Sequence, residues 1–254
     1  MKVRDLSLLR IPFQRRKAGK PRYYKVVRGF DVETHKGKAF LIANSDGDTA
    51  WVQSFEDCVQ FLMKWKHTRG LNVFYNMDYD VRSILAYLER WQLERLYKLG
   101  KLEYGDLLIE YIPKKLFRLK SERRRVTFYD IFQFFRMSLD KAARKFLGER
   151  KIEIDVEKFD DWEWIQEHKR EIERYCIKDA WLCAKLAEYI QNLYKEAGVG
   201  FYRPISPAAL AERHYLRTCR IPRHPPLSVC RDALKAYHGG RFEVLQRGYF
   251  EEVY

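Results

Sequence analysis

The feature that most constrains this chain is the order of its apolar patterns between residues 24 and 130. Residues 24–33 (YKVVRGFDVE) form a strand-like run rich in branched and aromatic side chains, residues 38–44 supply a partner, and residues 49–53 a short third strand after the turn SDGD. Residues 55–67 (FEDCVQFLMKWKH) carry apolar side chains at helical spacing, which returns the chain to a fourth strand at 71–75. There follow a helical pattern over 78–91, a turn or short helix over 93–99, strand-like stretches over 107–125 and the apolar run VTFYD. Three antiparallel strands, then helix, parallel strand, helix and a further strand predict an α/β mixed sheet with helices on both faces.

Downstream, Ser138 reads as the N-cap of a helix through Phe146 that Gly148 ends. The longest helical pattern covers 166–197 and closes at Gly198. Pro204, Pro207, Pro222, Pro225 and Pro226 mark a linker with one interposed helix over 207–216, and the last stretch holds a Gly-Gly turn between two strand-like runs. With 254 residues, the chain suits one large α/β domain plus an appendage. The expected division is a basic arm or edge strand over 1–24, the main domain over 25–200 with an inserted ribbon at about 107–125, and a linker helix with a terminal segment over 201–254.

Lysine and arginine outnumber aspartate and glutamate by 49 to 35, a net charge of +14 that favours a polyanionic partner. Arg15, Arg16, Lys17, Lys20 and Arg22 in the arm form one phosphate patch or, equally, a solvated arm; the Lys and Arg residues over 114–125 form another candidate contact ribbon, although such a charge run is more often a solvated face. No run reaches the roughly 18 apolar residues of a membrane span, and the first 20 residues lack a secretory apolar core, so a soluble cytoplasmic protein is expected. Cys58, Cys176, Cys183, Cys219 and Cys230 lack zinc-ligand spacing and read as free, mostly buried thiols.

Three acidic sites stand out against this background. Asp31 and Glu33 lie two apart on the first strand and so share a face. Two such carboxylates repel unless cations neutralise them, and hard oxygen donors suit Mg²⁺ or Mn²⁺. Asp80, in NMDYD, falls at a strand-to-helix transition, the place where open α/β sheets hold ligands. Tyr175 and Asp179, in YCIKD, lie four apart on one face of the long helix. Taken singly, these also fit a solvated strand end, helix caps at Asp78 or Asn76, and a half-buried tyrosine beside a surface aspartate. Together they can converge on a two-metal centre for in-line phosphoryl transfer.

The set GFDVET, NMDYD and YCIKD, in this order and spacing, closely resembles the three exonuclease motifs of proofreading domains in family B DNA polymerases, within the tyrosine-bearing branch of the four-acidic-residue exonucleases. The stretch VTFYDIFQFFRMSLDKAARKFLG supports it, and the resemblance covers roughly residues 26–197. It implies a ribonuclease H-like fold and two divalent cations, Mg²⁺ or Mn²⁺. Asp31 then resembles the acid bridging both ions, Glu33 and Asp179 the ligands of the nucleophile-side ion, Asp80 the ligand of the second, and Tyr175 the residue that positions the attacking water. Asn76 resembles a substrate-contacting asparagine, and Thr34 sits where the first motif meets the terminal nucleotide. His168 lies eleven residues before Asp179, too far to replace Tyr175, and reads as an exposed helix residue; Asp130 is a candidate supporting acid.

The segment ALKAYHGGRFEVLQRGYF resembles the family element that precedes the palm domain, with Tyr237, Gly239, Gly240 and Arg241 as the matching template-strand contacts; an ordinary hairpin turn is the alternative. Both polymerase carboxylate motifs are absent, so no polymerisation is expected of this chain alone. A piece of a longer polymerase, one product of a split gene and a stand-alone protein all remain compatible. The resemblance implies a metal-dependent 3′–5′ DNA exonuclease acting on single-stranded or frayed 3′ ends, with the remaining polymerase part as a possible separate subunit. The alternatives are a weakly catalytic DNA-binding or assembly module and an RNA 3′ exonuclease.

Overall fold

The computed structural model describes residues 13–14, 20–219, 221–222, 228–229 and 231–232. The chain divides into one unit of Gly19–Tyr215 and another of Met1–Ala18 with Leu216–Tyr254. In the latter, β1 (Phe13–Gln14) pairs antiparallel with β10 (Ile221–Pro222). The expected contacts Tyr237, Gly239, Gly240 and Arg241, and the arm residues Arg15, Arg16 and Lys17, lie outside the described residues.

The larger unit is an α/β fold around one mixed sheet of eight strands in the order β4-β3-β2-β5-β9-β8-β7-β6. β2 (Val27–His35), β3 (Lys38–Asn44) and β4 (Thr49–Trp51) form the antiparallel meander. β5 (Leu71–Phe74) and β9 (Arg125–Asp130) continue the sheet in parallel with β2. This is the strand order of a ribonuclease H-like sheet. The inserted ribbon, β6 (Lys101–Tyr104), β7 (Leu107–Ile112) and β8 (Leu116–Lys120), pairs onto β9 and extends the sheet. It therefore starts earlier than the expected residue 107, because Gly100 ends the preceding helix in a left-handed turn (φ 70°) that leads straight into β6.

Period-two alternation along β2 sends Phe30 and Val32 into one core, with Phe74, Ile84, Leu85, Phe117 and Phe128, under α1 (Phe55–Leu62) and α2 (Met77–Leu85). On the opposite face α7 (Lys169–Glu196) crosses the sheet, burying Cys176, Ala180, Cys183 and Leu186. The two surfaces meet where Gly29 has no side chain: a Cβ there would lie 1.9 Å from the Ala180 carbonyl oxygen and 2.6 Å from the Ala184 nitrogen. Bare backbone at this position is what allows the helix to lie against the strand.

Several expected boundaries shift for local reasons. Strand β2 begins at Val27 rather than at 24 because the Gln191 side chain takes both backbone groups of Tyr24, accepting from its N–H at 2.8 Å and donating to its carbonyl at 3.0 Å. The helix expected over 55–67 ends at Leu62, and a 3-10 turn, Trp65–Thr68, follows; His67, buried there, holds the Leu62 carbonyl through Nδ1 at 3.1 Å. The pattern over 78–91 splits into α2 and α3 (Arg90–Leu99), since the Glu89 N–H donates to the Gln92 side chain at 2.9 Å and starts a new helix. The long helical pattern likewise breaks into α6 (Trp162–Glu167) and α7 at His168. That histidine is not an exposed helix residue: half-buried, it stacks on Trp164 with ring centroids 4.1 Å apart and shares the Trp164 carbonyl at 2.9 Å.

Helix α4 (Phe132–Phe135) precedes α5 (Leu139–Leu147), which Ser138 caps by accepting from Lys141 N–H, as its sequence predicts, and α8 (Pro207–Thr218) packs Leu210 into the core. Among the described cysteines, Cys58, Cys176 and Cys183 are buried free thiols and Cys219 is exposed. No helix among the described residues is long and apolar enough to cross a membrane. Gly29→Ala is expected to lower the free energy of unfolding by more than about 2 kcal/mol, because backbone rather than a flexible side chain must move. Gly148→Ala, whose Cβ would meet nothing within 4 Å, should cost only about 1 kcal/mol for its left-handed backbone. Urea denaturation of the two variants reads the difference.

Candidate metal centre

In β2, Gly29 pairs with Val73 of β5, so Asp31, two residues further on, stands level with the point where β5 ends and the chain turns into α2. A bulge between Glu33 and Thr34 in the β2–β3 ladder then re-aims the strand end. Lys36 and Gly37, both at positive φ (48° and 78°), make the two-residue hairpin turn that closes this end. From the other face α7 presents Tyr175, Cys176 and Asp179, and from the first turn of α2 comes Asp80.

These elements enclose a cleft of about 600 Å³ lined by Asp31, Glu33, Asp80, Tyr175 and Asp179, with Thr34 and Asn76 on its walls. All seven residues singled out in the main domain thus share one cavity. Ligand atoms of Asp31, Glu33 and Cys176 lie within 4.8 Å of one another, a grouping compact enough for one divalent ion. Asn76 and Asp78 are not side-chain caps. Asn76 adopts a left-handed backbone (φ 62°) without a capping bond, and Asp78 accepts from Tyr111 Oη at 2.6 Å and the Lys114 N–H at 2.9 Å, tying the ribbon to α2. Thr34 Oγ1 is 2.7 Å from Tyr79 Oη.

The turn that carries Asn76 and Asp80 is shaped by Asp130 at the end of β9. Wholly buried, its carboxylate accepts from the backbone N–H groups of Asn76 (3.1 Å), Met77 (3.2 Å) and Phe132 (2.8 Å). Three N–H donors satisfy an anion that burial otherwise disfavours. Asp130 is thus a supporting acid for the strand-to-helix turn.

Burial is the largest influence on every carboxyl group of the cleft. It raises Asp31, which the charge of Lys151 partly offsets. Glu33 is driven well above its usual range by burial and then by Asp31 and Asp179, and Asp80 by burial and then Asp31. Asp179 rises to about 7 from burial and the Asp31 charge. Lys151, which no pattern in the sequence singled out, ion-pairs with Asp179 and donates to Tyr175 Oη at 3.0 Å. Although burial pulls it down, those two partners hold its ammonium above the ordinary lysine range. Its only sequence signal is its place just past the helix-ending Gly148, in a chain full of lysines.

The donor set fits a hard cation. One ammonium does not compensate four clustered carboxyl groups, and Asp179 Oδ1 is buried without a hydrogen-bond partner. Burial and the neighbouring carboxylates push the Cys176 thiol well above its usual value, and it donates to Asp31. The carboxylate oxygens suit a hard divalent ion, with Cys176 close enough to belong to the same cluster.

No protein-family model matches the chain, and no curated protein matches it. Among solved structures, the chain is similar to Phi29 DNA polymerase complexed with single-stranded DNA, at 15% identity and a TM-score of 0.47, over 84% of this chain and 40% of that one. The chain therefore spans less than half the length of that polymerase.

Folded, Asp179 keeps its proton up to about pH 7, whereas unfolded it releases it near 3.8. The native state binds the extra proton between these values, so this group makes stability fall as pH rises through that window. Without divalent metal, the urea midpoint is expected to decline from about pH 4.5 to about pH 7.5, and Asp179→Asn should flatten the decline. At the higher pH, Mn²⁺ or Mg²⁺ should raise the midpoint of the parent more than that of the variant. Equal metal responses would remove Asp179 from the centre.

Proposed function

We propose that this chain is a metal-dependent 3′–5′ exonuclease that removes nucleoside 5′-monophosphates from single-stranded or frayed 3′ ends of DNA, of the kind that proofreads in family B DNA polymerases. The observation that carries the reading is the meeting of Asp31, Glu33, Asp80, Asp179 and Tyr175 from β2, α2 and α7 in one cleft. Four carboxyl groups held this close raise one another's proton affinity, an arrangement that divalent cations relieve.

Asp31, Glu33 and Asp179 would hold one ion, with Asp31 shared and Asp80 serving a second. Bound there, such ions polarise a phosphodiester and lower the pKa of water. The chain's own residues do the rest. Lys151 donates to the Tyr175 oxygen at 3.0 Å, and the phenol in turn donates toward Asp179, so the three groups are held together at the edge where water or a phosphate oxygen would sit. Burial and the Asp179 charge hold that phenol above its ordinary value, so it acts as a neutral donor that orients and does not ionise. Thr34 and Asn76 on the walls would meet the terminal nucleotide, and a net charge of +14 would draw the strand toward a cleft whose own groups are acidic. The partner in this reading is DNA.

Digestion of a 5′-labelled single-stranded DNA oligonucleotide with Mg²⁺ or Mn²⁺ tests this, beside an EDTA control, an RNA of the same sequence and Asp31→Ala. A metal-dependent ladder that shortens from the 3′ end and slows by more than about a hundredfold in the variant is expected. Folded protein that binds DNA without shortening it would turn the reading to a binding or assembly module. Faster digestion of the RNA would turn it to an RNA exonuclease.

A further inference from the structure

The parallel strands β5 and β9 have a second end, and a pocket of about 390 Å³ opens there, away from the acidic cleft. Asn72 and Thr127 form part of it, and three guanidinium-bearing residues, Arg118, Arg125 and Arg203, line it with no carboxylate among the lining residues. Arg118 spends its Nε on Thr127 Oγ1 (3.0 Å) and Nη1 on Glu110 (2.6 Å), which fixes the plane of its guanidinium while other N–H donors remain. Burial raises the Tyr129 phenol on the pocket wall, and the charges of Arg118, Arg203 and Arg213 oppose that rise.

Arg203 is held there at a backbone cost. Its φ is 52°, a left-handed conformation rare for a residue with a long side chain. Its N–H donates to Tyr24 Oη at 3.1 Å, and its carbonyl accepts from the Ile205 N–H at 2.8 Å.

Convergent arginines call for an anion with several oxygens, and guanidinium groups match phosphate geometry. A phosphate monoester, close to doubly charged at neutral pH, is drawn more strongly by several guanidinium groups than the singly charged diester of a nucleic-acid backbone. We propose that this pocket binds a phosphate monoester, either free phosphate or the phosphate of a mononucleotide, and its volume falls in the range of small-ligand sites.

Isothermal titration calorimetry in EDTA tests this with the acidic cleft kept free of metal, so the outcome does not depend on the exonuclease reading. The titrants are inorganic phosphate, a nucleoside 5′-monophosphate, the parent nucleoside and a single-stranded oligonucleotide without terminal phosphates. Phosphate and the mononucleotide should bind and compete, and the nucleoside should not bind. Arg125→Ala and Arg203→Asn, the latter chosen because asparagine tolerates the left-handed backbone, should each weaken binding at least tenfold, with Asp31→Ala unchanged. Circular dichroism melting checks the fold, and Arg125→Ala, at an exposed strand start, carries the test if Arg203→Asn unfolds. The proposal is overturned by absence of binding at about 10 mM phosphate, by unchanged affinity in a folded arginine variant, by nucleoside binding as tight as mononucleotide, or by an oligonucleotide that binds where the mononucleotide does not.

Discussion

The contact between β2 and α7 at Gly29 is the constraint on which the rest depends. Strand and helix run past each other in opposite senses, with Gly29 against Ala180 and Ala184 and Asp31 beside Cys176. Two residues of strand advance about 6.6 Å, and four residues of helix advance about 6 Å. One repeat of the strand face therefore matches one turn of the helix. Asp31 and Glu33 meet the turn holding Tyr175, Cys176 and Asp179 because the backbone approach at Gly29 sets the register. A side chain at that point would lift the helix and open the centre from its base.

Such packing creates an electrostatic difficulty that the fold resolves only in part. Buried acids next to one another favour their protonated forms, and each of the four is shifted upward. Lys151 pairs with only one of them, while Asp130, also buried and also shifted upward by burial, takes three backbone N–H donors that oppose the shift. The contrast separates two uses of a buried carboxylate. Asp130 is held by backbone donors and shapes a turn; Asp179 keeps an oxygen without a partner in the cleft. Stability is thereby spent at the site where ligand binding can restore it.

What the sequence made legible was what local pattern encodes. Alternation in GFDVE put Asp31 and Glu33 on one face, the four-residue step put Tyr175 with Asp179, and NMDYD marked a strand-to-helix turn; each rests on neighbours in the chain. The features it missed depend on distant partners. Lys151 gains its role from α7, Asp78 from Tyr111 and Lys114, and the break at His168 from stacking on Trp164 in a run whose apolar spacing continues through it. Strand β6 was hidden because only pairing with β7 makes KLEY a strand. Arg118 belonged to a basic run read as a solvated face or a contact ribbon, and its Glu110 partner sits across the β7–β8 ladder, beyond the reach of composition.

Strand β9 joins the two ends of the molecule chemically. Arg125 and Thr127 face the arginine pocket, and five residues after Arg125 the same strand delivers Asp130 to the turn beneath the acidic cleft. Positive groups gather at the starts of the parallel strands and negative groups beyond their carboxyl ends, so the sheet separates an anion-seeking end from a cation-seeking one. Opposite charge on one rigid strand keeps the two ligands apart: a phosphate drawn by the arginines is held a strand's length from the carboxylates that would repel it. Since β9 is hydrogen-bonded on both sides, to β5 and β8, neither end can shift its register without disturbing the other. A slip of one residue would turn Asp130 away from the N–H groups of α2 and Thr127 away from Arg118 together, which makes the strand's register a shared requirement of both sites.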